Sequence, residues 1–358
     1  PISCVLFLAA FSLLSCGKKA SVKTTDTVQA VPLTQVDITD DFWAPKQETN
    51  RTVSLQEVFE MGDERGRGGA TQLYEAAGYI LMKHKDPAFE AYIKERVDAL
   101  VARQTAAAAP AAPGAPQKPA PSPERRAGGT SAEAAVAYFE ATGDRRLLDN
   151  AIQAADLAVE TIGPGKKAYI SGHEGQKIGL VRLFRFTGEE KYWQLAKFLI
   201  DIRGKAEYQD QSAGEYPGDR EYNQNHKPVL EQTEAVGHAV RAMYLYIPLV
   251  DIAALTGQPE YAKASDAIWE DVVARKMYIT GGVGSIRQQE KFGPAYHLPN
   301  VSGWHETCAT YGNVVWNHRL FLLHRDAKYI DVMERALYNG FAAGVSQQGD
   351  RFFYQNAL

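Results

Sequence analysis

"GLVRLFRFTGEEKYWQLAKFLIDIRG", residues 179–204, decides the fold. Apolar residues recur three and four apart, break at Thr187-Gly188-Glu189-Glu190, then resume as a second amphipathic run. Gly188 suits a helix C-cap, because left-handed backbone costs glycine little. Acidic Glu189 suits the positive N-terminus of a following helix. The segment reads as two antiparallel helices joined by a tight turn.

The same hairpin recurs as "AVAYFEATGDRRLLDNAIQAADLAVE" (135–160), "PLVDIAALTGQPEYAKASDAIWEDVV" (248–273) and "WNHRLFLLHRDAKYIDVMERALYNG" (316–340). A weaker copy is "AAGYILMKHKDPAFEAYIKERVDALV" (76–101). Five positions after the turn anchors Thr142, Thr187, Thr256, His324 and His84 comes a large apolar or aromatic residue: Leu147, Tyr192, Tyr261, Tyr329 and Phe89. Gly143 and Gly257 stand where Gly188 does. Helix pairs repeated at an irregular 45 to 70 residues favour a closed toroid with long inner loops over a regular solenoid. The expected class is all-α, an (α/α) barrel within 33–358, with turns near 84, 143, 188, 257 and 325.

The 358 residues are 45% apolar, enough for one large packed domain. Net charge is −4 with pI about 6.1, so the chain carries no basic footprint for nucleic acid. Cys4 and Cys16 fall in the apolar leader "ISCVLFLAAFSLLSCGKK" and leave Cys308 alone, which excludes a disulfide framework. The leader is too short for a membrane span and suits a signal peptide over 1–16. Ser15-Cys16 is similar to the bacterial lipoprotein signal, with Cys16 lipidated; a plain secretory signal is the alternative. The start at Pro1, without a basic segment, reads as a truncated N-terminus. Residues 17–32 read as a polar tether, which puts the protein at the bacterial cell envelope, periplasmic or outer-membrane, held to the membrane through a lipid anchor alone. Residues 105–123, "TAAAAPAAPGAPQKPAPSP", are 14 Ala or Pro in 19 and are expected to be disordered or extended. They read either as an insertion or as a local reading-frame error.

Between the last two strong hairpins, 278–312 is rich in glycine, proline and polar residues and reads as a loop region. Loops on a rigid scaffold commonly carry chemistry. Here fall Glu290, Glu306 and Cys308, beside Tyr296, Trp304 and His305. In extended backbone, Glu306 and Cys308 would point the same way and supply half of a tetrahedral zinc site. The plainer reading of a lone cysteine is a small buried hydrophobe. His173, His226 and His238 lie in loops or at helix starts, and each alone reads as a satisfied structural histidine. "GGVGS" (281–285) is not a phosphate loop, since no Gly-Lys-Ser/Thr follows.

"RKMYITGGVGS", "HETCA", "WNHRLFLLHRDAKYIDVMERALYNGF" and "GDRFFYQNAL" together resemble glycoside hydrolase family 127, which contains bacterial β-L-arabinofuranosidases. "EQTEAVGHAVRAMYLY", "EAAVAYFEATGDRRLLD" and "DDFWAPKQETNR" extend the likeness. The resemblance implies an (α/α)6 barrel followed by β-sandwich domains. It implies a retaining glycosidase with a cysteine nucleophile on Zn2+, the metal held by one glutamate and three cysteines. Carried over, Glu306 and Cys308 match two zinc ligands, Glu290 the general acid/base, and His173 and His238 sugar-binding positions. The family's adjacent cysteine pair, nucleophile included, is expected beyond Leu358, and a further family histidine falls at Thr130. The chain is therefore expected to be an inactive fragment of an exported enzyme whose partner is an arabinose-containing oligosaccharide or glycan, with a homodimer left open. The alternatives are a related glycosidase acting on another sugar, a glycan-binding toroid without hydrolysis, and an epimerase-type toroid that would use histidines.

Overall fold

The computed structural model describes residues 30–64, 71–108, 129–170, 173–210, 216 and 219–356. Cys16, the signal peptide and most of the tether lie outside them, as does most of the Ala/Pro run.

The repeat resolves into five helical hairpins. They are α3 (Thr71–Lys83) with α4 (Pro87–Ala108), α5 (Gly129–Thr142) with α6 (Arg146–Thr161), and α7 (Gly175–Thr187) with α8 (Glu190–Asp201). Then come α9 (Ala239–Thr256) with α10 (Pro259–Asp271), and α11 (Thr307–His324) with α12 (Ala327–Arg335). Before them, α1 (Trp43–Thr49) runs through a π-helical turn (Asn50–Ser54) into α2 (Leu55–Glu64). Residues 105–108, expected to be disordered or extended, are the last turn of α4.

The second helix of each pair forms the outer wall. In α8 the buried positions are Tyr192, Leu195, Ala196, Leu199 and Ile200, a single stripe. In α9, by contrast, burial covers every face through Ala253. Its length and composition would let it cross a membrane, yet it is packed as the inner wall of a helical ring. The first helices α3, α5, α7, α9 and α11 pack side by side in that order. Each returns through its outer partner, so all five run in the same direction.

The Thr-Gly turn works identically in three hairpins. Thr142, Thr187 and Thr256 donate their hydroxyls to the carbonyls of Tyr138, Leu183 and Ile252 at 2.7–2.8 Å. The same oxygens accept the amides of Asp144, Glu189 and Gln258 at 3.1–3.3 Å. One side chain thus caps the outgoing helix and orders the turn. In the last hairpin Arg325 itself takes the left-handed cap, with φ 59°. The five large residues five places after each anchor are all buried, which fixes how the outer helix seats on the ring.

The ring closes on itself. Tyr338 stacks on Phe42 at 5.2 Å and meets Trp43 edge-on at 4.9 Å, joining the segment after α12 to the start of α1. Five hairpins, the leading helix and the closing segment form an all-α toroid of the (α/α)6 type. Among the described residues, strands are confined to two short pairs: β1 (Tyr169–Ile170) parallel to β2 (Gln209–Asp210), and β3 (His305–Glu306) antiparallel to β4 (Gln355–Asn356).

Candidate active site

All five inner helices start at one mouth of the ring, and so do the long connections. His173 lies two residues before α7, His238 is the N-cap of α9, Glu306 is the N-cap of α11, and Cys308 is its second residue. Converging helix N-termini favour negative charge. Glu306 ends strand β3 with extended backbone, but Cys308 is already helical. The expectation that both sit in one extended segment is therefore corrected. The loop ends at Glu306 rather than residue 312, because the helical spacing of Cys308, Tyr311 and Val315 starts earlier than the apolar run suggested.

Glu290 reaches the mouth on a hairpin. Ile286 and Lys291 exchange backbone hydrogen bonds at 3.0 and 2.9 Å. The turn between them puts Gln289 and Glu290 at φ 63° and 50°, the left-handed region that non-glycine residues disfavour. Gln289 is tied down by Asp219 at 2.9 Å and by Lys291 at 2.9 Å. The hairpin docks through the Phe292 amide, which donates to the Gly237 carbonyl at 3.0 Å. Gly237 has φ +70°, and a Cβ there would lie 1.8 Å from the Glu221 carbonyl oxygen, so no other residue fits.

Docked in this way, Glu290 Oε2 lies 3.1 Å from His238 Nε2. Tyr354 donates its hydroxyl to Glu290 Oε1 at 3.3 Å. Tyr354 is positioned by β4, whose pairing sets His305 opposite Asn356 and Glu306 opposite Gln355. Burial holds the His238 imidazole down at about 4, with the Arg241 guanidinium adding to it. His238 Nδ1 accepts the Val240 amide at 3.2 Å. A neutral ring with Nδ1 accepting carries its proton on Nε2, so His238 donates to Glu290.

Glu306 is 2% exposed, and its Oε1 has no hydrogen-bond partner among the described residues. Burial, helped by the charge of Glu290, pushes its carboxyl up to about 7. Burial and the Glu306 charge also raise the Cys308 thiol. A carboxylate and a thiol that both resist ionisation while facing one space suit a cation that would reverse both shifts. Glu306 and Cys308 fit two corners of a zinc tetrahedron. Among the described residues no group of three His, Cys, Asp or Glu is placed to hold a metal ion.

His173 sits in a loop anchored by an ion triad. Buried Glu174 pairs with Lys177 at 2.5 Å and with Arg203. The His173 ring meets Tyr244 edge-on at 5.1 Å, and burial lowers its pKa. His226, by contrast, belongs to the loop between α8 and α9 and has neither ring nitrogen hydrogen-bonded among the described residues. The structure thus gathers Glu290, His238, Glu306 and Cys308 at one mouth, with His173 close enough to His238 to affect its charge. The sequence does not mark Tyr354 as a site residue, since the pairing that delivers it spans about fifty residues and leaves no local pattern.

A family model described as the GH127 catalytic domain of β-L-arabinofuranosidase matches residues 57–358. The non-reducing end β-L-arabinofuranosidase of Bifidobacterium longum subsp. longum is 32% identical over 312 residues, covering 79% of this chain and 47% of its own length. A solved GH127 β-arabinofuranosidase superposes with TM-score 0.79 at 38% identity, over 92% of this chain and 56% of that one. The GH127 β-L-arabinofuranosidase from Geobacillus stearothermophilus T6 does so with TM-score 0.76 at 31% identity, over 91% and 59%. The chain therefore spans about half the length of these relatives. With a match across most of its length and a ring of the same shape, the chain belongs to the GH127 β-L-arabinofuranosidase catalytic-domain family.

Proposed function

We propose that the protein to which this chain belongs is a retaining glycoside hydrolase that removes β-L-arabinofuranosyl groups from plant-type glycans. The observation that carries the reading is the placement of Glu290 against His238 and Tyr354, beside Glu306 and Cys308, at the mouth of the helical ring. Glu290 protonates the departing glycosidic oxygen and afterwards takes a proton from water, as the acid/base carboxyl group does in other retaining glycosidases. His238 and Tyr354 hold its carboxylate in one orientation through both steps. His173 supplies a hydrogen bond to the sugar, and His238, whose ring nitrogens are held by Glu290 and Val240, lines the sugar's position.

Glu306 and Cys308 would hold Zn2+, which, when bound, keeps thiolates deprotonated at neutral pH. In this reading the other two ligands, including the attacking cysteine, lie outside the sequence of this chain. Cys16 carries a lipid that anchors the protein at the cell envelope; Cys16→Ala should move the precursor from the membrane to the soluble fraction, and an unchanged distribution would refute the anchor.

The test is release of L-arabinose by the full-length protein from an aryl β-L-arabinofuranoside and from an arabinosylated oligosaccharide. Release with retained anomeric configuration supports the reading. Saturable binding of the oligosaccharide without release, in zinc-loaded protein, would replace it with a glycan-binding toroid.

A further inference from the structure

The mouth residues occupy the first turn of the inner helices, and a second layer lies directly beneath. Glu75 is the fifth residue of α3, Glu133 the fifth of α5, Tyr311 the fifth of α11, and Tyr244 the sixth of α9. Tyr79, one turn deeper on α3, donates its hydroxyl to Glu75 at 3.2 Å. Helices α3 and α5 touch backbone to backbone, since a Cβ on Gly78 would lie 2.7 Å from the carbonyl carbon of Ala137. One turn back towards the mouth, that register sets Glu75 and Glu133 side by side.

The layer is accessible yet crowded by protein. Tyr79 and Tyr311 keep 39% and 42% of their surface accessible, yet burial is the foremost influence raising both hydroxyls. The same holds for Cys308, which is solvent-accessible but has its thiol raised by burial. Tyr244 feels the charges of both Cys308 and Glu133, so the layer adjoins the reacting end of the pocket.

We propose that Glu75 and Glu133 form the floor of the sugar pocket and determine its specificity, by hydrogen bonding the hydroxyls of an uncharged sugar and excluding sugar acids. This deepens the proposed function and rests on it. Two adjacent carboxyls cannot both ionise cheaply. Burial, and then the Glu75 charge, pushes Glu133 up to about 8, and burial also raises Glu75 against the hydrogen bond from Tyr79. At neutral pH the pair therefore shares a proton and offers one donor among several acceptors, which complements sugar hydroxyls. The cations that face it are engaged elsewhere. Arg182 on α7 pairs with Glu140 at 2.7 Å, and Arg319 on α11 lies 3.4 Å from Asp251 of α9. A uronate would bring a third carboxyl into this layer with no free cation among the described residues to meet it.

The test uses the zinc-loaded full-length protein. Calorimetric titration with L-arabinose, D-galactose and D-galacturonate is run from pH 6 to 9.5, on the parent, Glu133→Gln and the Glu75→Gln/Glu133→Gln double variant. The parent should bind a neutral sugar and weaken about tenfold as Glu133 loses its proton above pH 8, since the pair then loses its one donor to the sugar and holds two adjacent charges. Glu133→Gln should bind with little change across that range, and the double variant should lose most of its discrimination against galacturonate. A parent whose neutral-sugar affinity is flat to pH 9.5 overturns the proposal without any variant. So do folded variants with parental pH dependence and parental selectivity. Hydrolysis of an aryl β-L-arabinofuranoside is measured separately. Its absence in a parent that still shows the pH-dependent sugar binding would sink the proposed activity and leave the floor standing.

Discussion

Glu290 Oε2 sits 3.1 Å from His238 Nε2, joining a loop carboxylate to the N-cap of an inner helix. The contact joins a strained backbone at Glu290 (φ 50°) to a histidine that burial keeps neutral. Neither half explains itself locally. A left-handed glutamate and a desolvated imidazole both cost stability, and both are retained where they converge on one space.

That histidine makes stability depend on pH. Its folded-state pKa of about 4 lies below the roughly 6.5 of an unfolded chain. As pH falls, the unfolded chain takes up the proton first, so stability is lost between about pH 6.5 and 4. The loss from this group should be on the order of 2–3 kcal/mol over that range. His238→Gln should therefore show a smaller drop in Tm from pH 7 to pH 4.5 than the parent. Equal drops would mean that His238 does not titrate as its burial requires.

The docking of the Glu290 hairpin rests on Gly237. Gly237→Ala puts a methyl group 1.8 Å from the Glu221 carbonyl oxygen in a left-handed backbone. The conformational cost alone is about 1–2 kcal/mol, and the clash adds to it. Urea unfolding should show at least about 2 kcal/mol of lost stability. A loss under half of that would show that the loop between α8 and α9 can move aside.

Cys308→Ser in the full-length protein should lower zinc content, because serine is a poor zinc ligand at neutral pH. Metal analysis after dialysis against a weak chelator is the readout. Parental zinc stoichiometry in the variant would remove Cys308 from the ligand set.

Much of this architecture is legible in the sequence because it is local. The turn threonines, the glycine caps and the aromatic residue five places on are all set by contacts within one hairpin. The unexpected parts are long-range. Cys308 was expected in extended loop because the apolar run of α11 looks strongest from Trp316 onward, while its first turn faces the pocket and carries small or polar residues. Tyr354 becomes a site residue only through the β3–β4 pairing. Glu75 and Glu133 read as ordinary solvated helix carboxylates until the ring sets α3 beside α5. Glu290, Glu306, His173 and His238 stand out only through family resemblance, since spacing alone does not separate them from surface charges and structural histidines.

The central claim is that Glu290 is the general acid/base of a glycosidase site, and leaving-group dependence tests it most directly. Turnover by the full-length parent and its Glu290→Gln variant is compared on β-L-arabinofuranosides with good and poor leaving groups. General acid catalysis contributes typically about 10²- to 10⁴-fold, so the variant should lose about that much on a natural linkage and less on an activated aryl glycoside. Zinc content should stay parental. Near-parental turnover of the natural linkage by Glu290→Gln would contradict the account and move the proton-transfer role to another carboxylate.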